Sequence, residues 1–306
     1  MPATQIKGFN IGHATDYTGK TGVTVILPDG PVTAGCDIRG GAPGTRETDL
    51  LNPINTVEKI DALVLSGGSA FGLESACGVM RWLRDHDRGF DAGTVKVPIV
   101  PAAVLFDMAY GSQTVFPDVE MGFSAAQNAS SHFEIGSIGA GAGATVGKIT
   151  GIEAASKGGI GFASVSAGEL IVEALIAVNA VGEVFDSESN RIIAGIKDPT
   201  GNGFLPSESV IRDYYQRARK TECFVAGNTT IGAVITNACL VKTQACKVAQ
   251  MAHNGYALSI RPVHTPYDGD SIFCLASGEV EADIMIVAVL AVEAVRKAVI
   301  AAVLHA

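Results

Sequence analysis

The string VAGNTTIGAVITNA, residues 225–238, sets a Gly-Asn turn ahead of a threonine that opens an apolar run. If the chain bends sharply at Gly227, the Thr229 hydroxyl can attack the Asn228 carbonyl, convert the amide to an ester and leave the ester to hydrolyse. The cut would free an α-amine on Thr229 beside its own hydroxyl. An amine of pKa about 8 is a general base for that side chain, so no histidine is needed. A plain polar turn opening a strand accounts for the same residues without chemistry.

Three other strings carry polar groups that such a nucleophile needs. In HTPYDGDSIF, Asp268 and Asp270 flank Gly269, and both carboxylates can point into one pocket to hold an ammonium or a hydroxyl. The alternative is an exposed Asp-Gly-Asp turn. A metal held by His264, Asp268 and Asp270 lacks a further cluster to complete its shell, so no metal is expected. In GAGAGATVGKIT, Gly147-Lys148 imitates a phosphate loop, but Ala142 stands at the first-glycine place and Ile149 replaces the required Ser or Thr. The GxGxxA spacing of Gly139, Gly141 and Ala144 lacks the acid about 20 residues on that a dinucleotide fold uses. Lys148 can instead polarise a carbonyl or assist proton transfer, or simply snorkel. Asn179 ends the run ELIVEALIAV, where a side-chain amide can donate to an oxyanion or form a turn. His264 reads as a packed or loop histidine.

The elements around these residues read as mixed α/β layers. GVTVILPDGPVTAGCDI predicts two strands joined as a hairpin at Pro28-Asp29-Gly30. Residues 62–65 predict a strand running through Ser66-Gly67-Gly68-Ser69 into a helix over 70–87. A strand pair is expected at 95–100 and 102–106, and a helix over 119–129. Strands are expected at 159–165, 170–178 and 229–236, a helix at 241–256, and a loop entering a strand over 264–275. Residues 197–206 and the charged stretch 207–221 read as exposed loop and linker, followed by apolar 223–226.

Composition limits the partners. With 306 residues and 47% hydrophobic side chains the chain can bury a large core. A net charge of −9 without a basic stripe argues against nucleic acid. Glu293, Arg296 and Lys297 interrupt the apolar stretch 284–304, which reads as a buried helix, so no membrane span is expected. The cysteines at 36, 77, 223, 239, 246 and 274 form no CxxC or zinc spacing and read as reduced core residues of a cytoplasmic protein. The N-terminus lacks a secretory apolar region.

Taken together, IGHATD, GVTVIL, DIRGGAPGTRETDLL, LSGGSAFGLE, PIVPAAVLFD, GAGATVGK, AGNTTIGAVITNA and HTPYDGD follow one another through nearly the whole chain. In that order they resemble the L-aminopeptidase/D-esterase (DmpA-like) family of N-terminal-nucleophile hydrolases, which includes β-peptidyl aminopeptidases and nylon-oligomer hydrolases. The resemblance implies a four-layer α/β/β/α sandwich of the DmpA/ornithine-acetyltransferase kind. It implies one catalytic domain, 1–306, that cuts itself into an α chain, 1–228, and a β chain, 229–306, and a homotetramer of processed protomers without a cofactor. By matching motif, Thr229 is nucleophile and base, Asn179 an oxyanion donor, and Lys148, Asp268 and Asp270 the supporting network. Asn-Thr at the cut is closer to the nylon-oligomer branch than to the Gly-Ser junction of the β-peptidyl aminopeptidases. Phe106 departs from the family, standing where the relatives carry a polar residue, so the substrate pocket differs there.

The expected activity is hydrolysis of short peptides or small amides with a free amine. The alternatives are an ornithine-acetyltransferase-like acyl transfer with the same nucleophile, and a small-molecule binding protein that kept the fold.

Overall fold

GVTVILP and TTIGAVITNA are buried at every position, as strands covered on both faces are. The computed structural model, which describes residues 1–218 and 227–306, shows what covers them. Among the described residues five α-helices follow in chain order: α1 (Ser75–Asp85), α2 (Val119–Gln127), α3 (Ser207–Ala218), α4 (Lys242–Ala257) and α5 (Ile284–Leu304). One sheet runs β1 (Phe9–Asp16), β2 (Thr21–Pro28), β6 (Leu63–Ser66), β7 (Ala102–Val104), β4 (Gly44–Arg46). A second large sheet runs β8 (Gly159–Ala167), β9 (Leu170–Asn179), β10 (Thr229–Ala238), β11 (Ser271–Val280), β3 (Val32–Ile38), β5 (Lys59–Ile60), and the remaining sheets have two or three short strands.

Successive strand residues face opposite sides, so each central strand feeds two cores. On β2, Val23, Val25 and Leu27 meet Val79 and Leu83 of α1 and Ala125 of α2. Ile26 turns the other way and joins Leu65, Ile231, Phe273 and Leu275 between the sheets. On β11, Ile272 and Cys274 pack against Ala249 of α4 and Val295 of α5. The layers are therefore helix, sheet, sheet, helix, as expected. Fully burying a Val, Leu, Ile or Phe contributes about 1.5–3 kcal/mol, which makes these three cores the main source of rigidity beneath the site.

The second sheet gathers the chemistry at one end. Antiparallel pairing sets Asn179, the last residue of β9, opposite Thr229, the first of β10. Parallel pairing sets Ile231 beside Ser271, so Asp270 immediately precedes β11 at the same end.

Several expectations are corrected. The Pro28-Asp29-Gly30 turn is no hairpin: β2 pairs with β1 and β6, whereas β3 pairs with β11, so the turn carries the chain between sheets. The runs 95–100 and 102–106 do not pair. Lys96–Val97 joins Phe90–Asp91, and β7 lies parallel to β6, because Pro98 and Pro101 interrupt the intervening backbone. The helix over 70–87 begins as a 3₁₀ turn at Ser69–Glu74. The charged stretch from 207 is helical through Ala218, with Ser209 and Val210 N–H groups donating to Pro206 O to start it. Its remainder, 219–221, and the apolar 223–226 with Cys223, lie outside the described residues. Of the other five cysteines, Cys274 is buried, Cys77 is exposed, and Cys36, Cys239 and Cys246 are half-buried. α5 is buried along one side and exposes Met285, Ile286 and Val289 on the other. Among the described residues no helix is long and apolar enough to cross a membrane.

Candidate active site

The Asn228–Thr229 junction is buried, with Asn228 3% and Thr229 5% exposed, although an exposed charged helix precedes it in the chain. Gly227 makes the turn at φ +114°, a left-handed conformation that side chains resist. A Cβ there would also strike the Phe106 ring at 2.5 Å. Beyond the turn, the Asn228 carbonyl oxygen accepts from the Thr229 hydroxyl at 2.5 Å and from the Gly269 N–H at 2.9 Å. The hydroxyl therefore touches the carbonyl that precedes it, and a backbone donor polarises that carbonyl from another segment. An N–H so aimed supports the negative charge that develops when a carbonyl is attacked.

Gly269 is the contribution that sequence reading missed. The sequence marks it only as the glycine that Asp268 and Asp270 flank, but its N–H reaches the junction, and a Cβ at 269 would lie 2.8 Å from Thr229 Oγ1. The absence of a side chain permits the approach. The aspartates do not form an exposed turn: each is 1% exposed. Asp268 bridges Asn228 in parallel, and its Oδ2 accepts from the Thr265 N–H at 2.8 Å. Burial first, and then the neighbouring Asp270, push its carboxyl up to about 6. Asp270 Oδ1 accepts from the Thr230 N–H at 2.8 Å, pinning the start of β10, while Oδ2 takes the His264 N–H at 3.0 Å and contacts His264 Nδ1 at 2.9 Å. His264, read as a loop or packed histidine, thus orients an aspartate. Behind it the His253 ring meets the His264 ring edge to face at 4.8 Å, and the Tyr256 ring lies tilted at 6.1 Å.

The segment DIRGG explains how this loop is held. Arg39 and Gly40 N–H groups donate to Asp270 O, Gly41 N–H to Thr265 O, and Ala42 N–H to Asp268 O. A second backbone therefore clamps HTPYDGD at Thr265, Asp268 and Asp270. Regularity of this kind signals no chemistry in a single sequence, so the motif could be seen but its purpose could not.

On the other side of the junction Lys148 and Asn179 form one unit. The Gly147 and Lys148 N–H groups bond to Gly182 O and Val181 O, which anchors the glycine loop beside the end of β9. Lys148 Nζ then donates to Asn179 O at 2.9 Å, Asn179 Oδ1 at 2.8 Å and Gly227 O at 3.4 Å. Burial pulls this amine down to about 7, against the opposing pull of Asp268, Asp107 and Asp270. It is no snorkelling lysine. Asn179 is 0% exposed; its amide donates to Phe106 O at 2.9 Å and Gly227 O at 3.4 Å. Both donors thus reach a carbonyl one residue before the junction.

Phe106, Asp107, Tyr110, Thr145, Lys148 and Ile152 line a cavity of about 30 Å³ closed on one side by Gly227 and Asn228. That is room for a water molecule and little more. Asp107 was not singled out in the sequence; it is buried, accepts from Thr21 Oγ1 at 2.7 Å and the Gly68 N–H at 2.8 Å, and burial raises its carboxyl. Among the described residues no group of three or more His, Cys, Asp or Glu is placed to hold a metal ion.

The helix–sheet–sheet–helix sandwich is that of the Ntn-hydrolase fold, and it sets a polar network at the first residue of a central strand. Comparison with known proteins agrees: the chain belongs to peptidase family S58, whose model matches residues 3–306, and it is an amide-hydrolysing enzyme. It is 40% identical over 289 residues to an uncharacterized aminopeptidase of Mycobacterium tuberculosis, covering 90% of this chain and 81% of the relative. It is 31% identical over 278 residues to the 6-aminohexanoate-oligomer endohydrolase of an Agromyces species, covering 90% and 74%. The L-aminopeptidase D-Ala-esterase/amidase of Ochrobactrum anthropi, described as a variant of the Ntn-hydrolase fold, superimposes with a TM-score of 0.74 at 18% identity, covering 98% of this chain and 85% of that one.

Proposed function

We propose that the protein is a self-processing amide hydrolase that cuts itself between Asn228 and Thr229 and then uses Thr229 as its N-terminal nucleophile on short peptides or small amides. The observation that carries this reading is the Asn228 carbonyl oxygen held between the Thr229 hydroxyl and the Gly269 N–H. In the first step Oγ bonds to the Asn228 carbonyl carbon and its proton passes to a nearby base. The carbon–nitrogen bond then breaks as the Thr229 nitrogen takes up a proton, leaving an ester that water hydrolyses to an Asn228 carboxylate and a free Thr229 amine.

In turnover the same hydroxyl attacks the substrate carbonyl, the α-amine takes its proton and returns it to the leaving amine, and water releases the acyl group. Asn179 stabilises the oxyanion once Gly227 has left its amide. Lys148 fixes Asn179 and, with a pKa near neutrality, exchanges a proton readily. Asp268 and Asp270 hold the strand start and the ammonium. No step calls for a cofactor. The whole chain acts as one catalytic domain of two fragments, 1–228 and 229–306, assembled as a cytoplasmic homotetramer of processed protomers.

Intact-mass analysis of wild type beside Thr229→Ala tests this. Wild type should give two fragments beginning at Met1 and Thr229, and the variant one uncut chain. A wild-type chain that stays whole on long incubation, or a variant that is cut, refutes it.

A further inference from the structure

The cavity behind the junction shares a wall with a second, open cleft. Ala109, Tyr110 and Ile152 line both, and the second, of about 350 Å³, is completed by Lys20, Glu153, Ala155 and Lys197. The first cavity holds Gly227 and Asn228, the acyl side of the chain's own junction, so the acyl portion of a substrate that replaces them extends towards this cleft.

The charge there opposes that of the molecule. The chain carries −9 overall, yet the cleft presents two lysines against one glutamate. Neither Lys20 nor Lys197 joins the ion pairs formed among the described residues. Lys20 Nζ lies 4.3 Å from the centre of the Tyr110 ring, and Lys157 Nζ lies 5.8 Å from the same ring centre, adding positive charge beneath the wall. The inner cavity offers little to a substrate ammonium. Its one lining carboxylate, Asp107, already accepts hydrogen bonds on both oxygens, and Lys148 stands beside it.

We propose that Lys20 and Lys197 form a carboxylate subsite, selecting amides whose acyl portion carries an acidic group a few carbons from the scissile carbonyl. The inference rests on the Thr229 mechanism for its view of which side of the substrate faces the cleft.

Two measurements separate the subsite from the mechanism. In the first, glutaryl-p-nitroanilide is compared with the neutral valeryl-p-nitroanilide for wild type, Lys20→Met and Lys197→Met. Wild type should favour the glutaryl substrate in kcat/KM by about tenfold, each exposed-lysine variant should lose about three- to fivefold through KM alone, and the valeryl rate should be unchanged, in line with the modest strength of solvated ion pairs. In the second, calorimetric titration of wild type with the monomethylamide of glutaric acid and with the methylamide of valeric acid reads binding without turnover. The acid should bind more tightly, and 0.5 M salt or either lysine variant should erase the difference. Equal binding of acid and neutral probe, or a preference that survives both variants, overturns the subsite. Tight acid binding without hydrolysis of either anilide refutes the mechanism and leaves the subsite standing.

Discussion

Gly269→Ala is the sharpest probe of the junction, because it adds one carbon at the point where two segments meet. The new Cβ would lie 2.8 Å from Thr229 Oγ1, 3.2 Å from Thr229 Cγ2 and 2.9 Å from Ala42 O. Ala42 O belongs to a backbone clamped onto Asp268, so the threonine side chain is the part free to yield. Restoring an ordinary contact of 3.4 Å moves the hydroxyl by about 0.6 Å, and a misplacement of about 1 Å costs reacting groups roughly a hundredfold. Self-cleavage should therefore slow by about 10- to 100-fold, a barrier increase of about 1.5–2.5 kcal/mol. Overpacking should cost about 1–3 kcal/mol of stability, which a large core can absorb. The assay is an intact-mass time course from rapid purification, with near-UV circular dichroism to confirm the fold. Gly30→Ala, whose Cβ would meet nothing within 4 Å, serves as the control. Adding Thr229→Ser to Gly269→Ala removes the crowded Cγ2 and should recover part of the rate. Wild-type cutting by a folded Gly269→Ala protein would refute the view that hydroxyl placement against this carbonyl limits the reaction.

Three further outcomes follow from burial. Unfolded Lys148 keeps its proton to about 10.5 and the folded protein only to about 7, so between those values the unfolded state binds the extra proton and stability rises with pH; in Lys148→Met, urea midpoints should lose this slope. Asp268 has the opposite sign. Its ordinary value is 3.8 and its folded value about 6, so the folded state holds the extra proton between them and stability falls as pH rises through that window; in Asp268→Asn the fall should disappear, together with any rising limb of kcat/KM near pH 6. Tyr256 is fully buried and its hydroxyl has no hydrogen-bond partner among the described residues, so Tyr256→Phe should stabilise the protein by about 1 kcal/mol, and a lower melting temperature would show that the hydroxyl is bonded.

The layers were legible because two-sided burial leaves continuous apolar runs, and β9, β10, α4 and α5 each announce themselves by such a run or by helical spacing. Sheet membership was not, because a turn such as Pro28-Asp29-Gly30 looks the same whether the next strand folds back on its neighbour or leaves for another sheet. Only the partner of β3, some 235 residues on, decides it. The polar helix α3 was hidden by its charge, since an exposed helix needs no apolar stripe to be compatible with the sequence. At the site, side chains with chemistry of their own were found: Thr229, Asn179, Lys148, Asp268 and Asp270 all converge on one end of the second sheet. What escaped were groups without a distinctive letter, the Gly269 N–H and the Arg39–Ala42 backbone, together with His264 and Asp107, whose roles depend on burial and partners far along the chain.

The arrangement also explains why a self-cutting enzyme would place its cut at this point and not within the exposed helix nearby. Before the cut, Gly227 and Asn228 close the cavity, Gly227 O takes the Asn179 amide and the Lys148 amine, and Asn228 O takes the Gly269 N–H. The chain itself thus occupies the positions a substrate would use, with its carbonyl already polarised. On the proposed mechanism, self-cleavage draws on the Gly269 N–H and turnover gains Asn179 once Gly227 has left it, and the first acyl group to leave is the protein's own. Departure of Asn228 both exposes the nucleophile's amine and returns Asn179 and Lys148 to service, so the enzyme cannot act on an external amide until it has acted on itself. Phe106 stands apart from this economy: its ring packs against Gly227 and borders the cavity but donates no hydrogen bond, so its identity bears on which acyl group follows the first and not on whether the first one leaves.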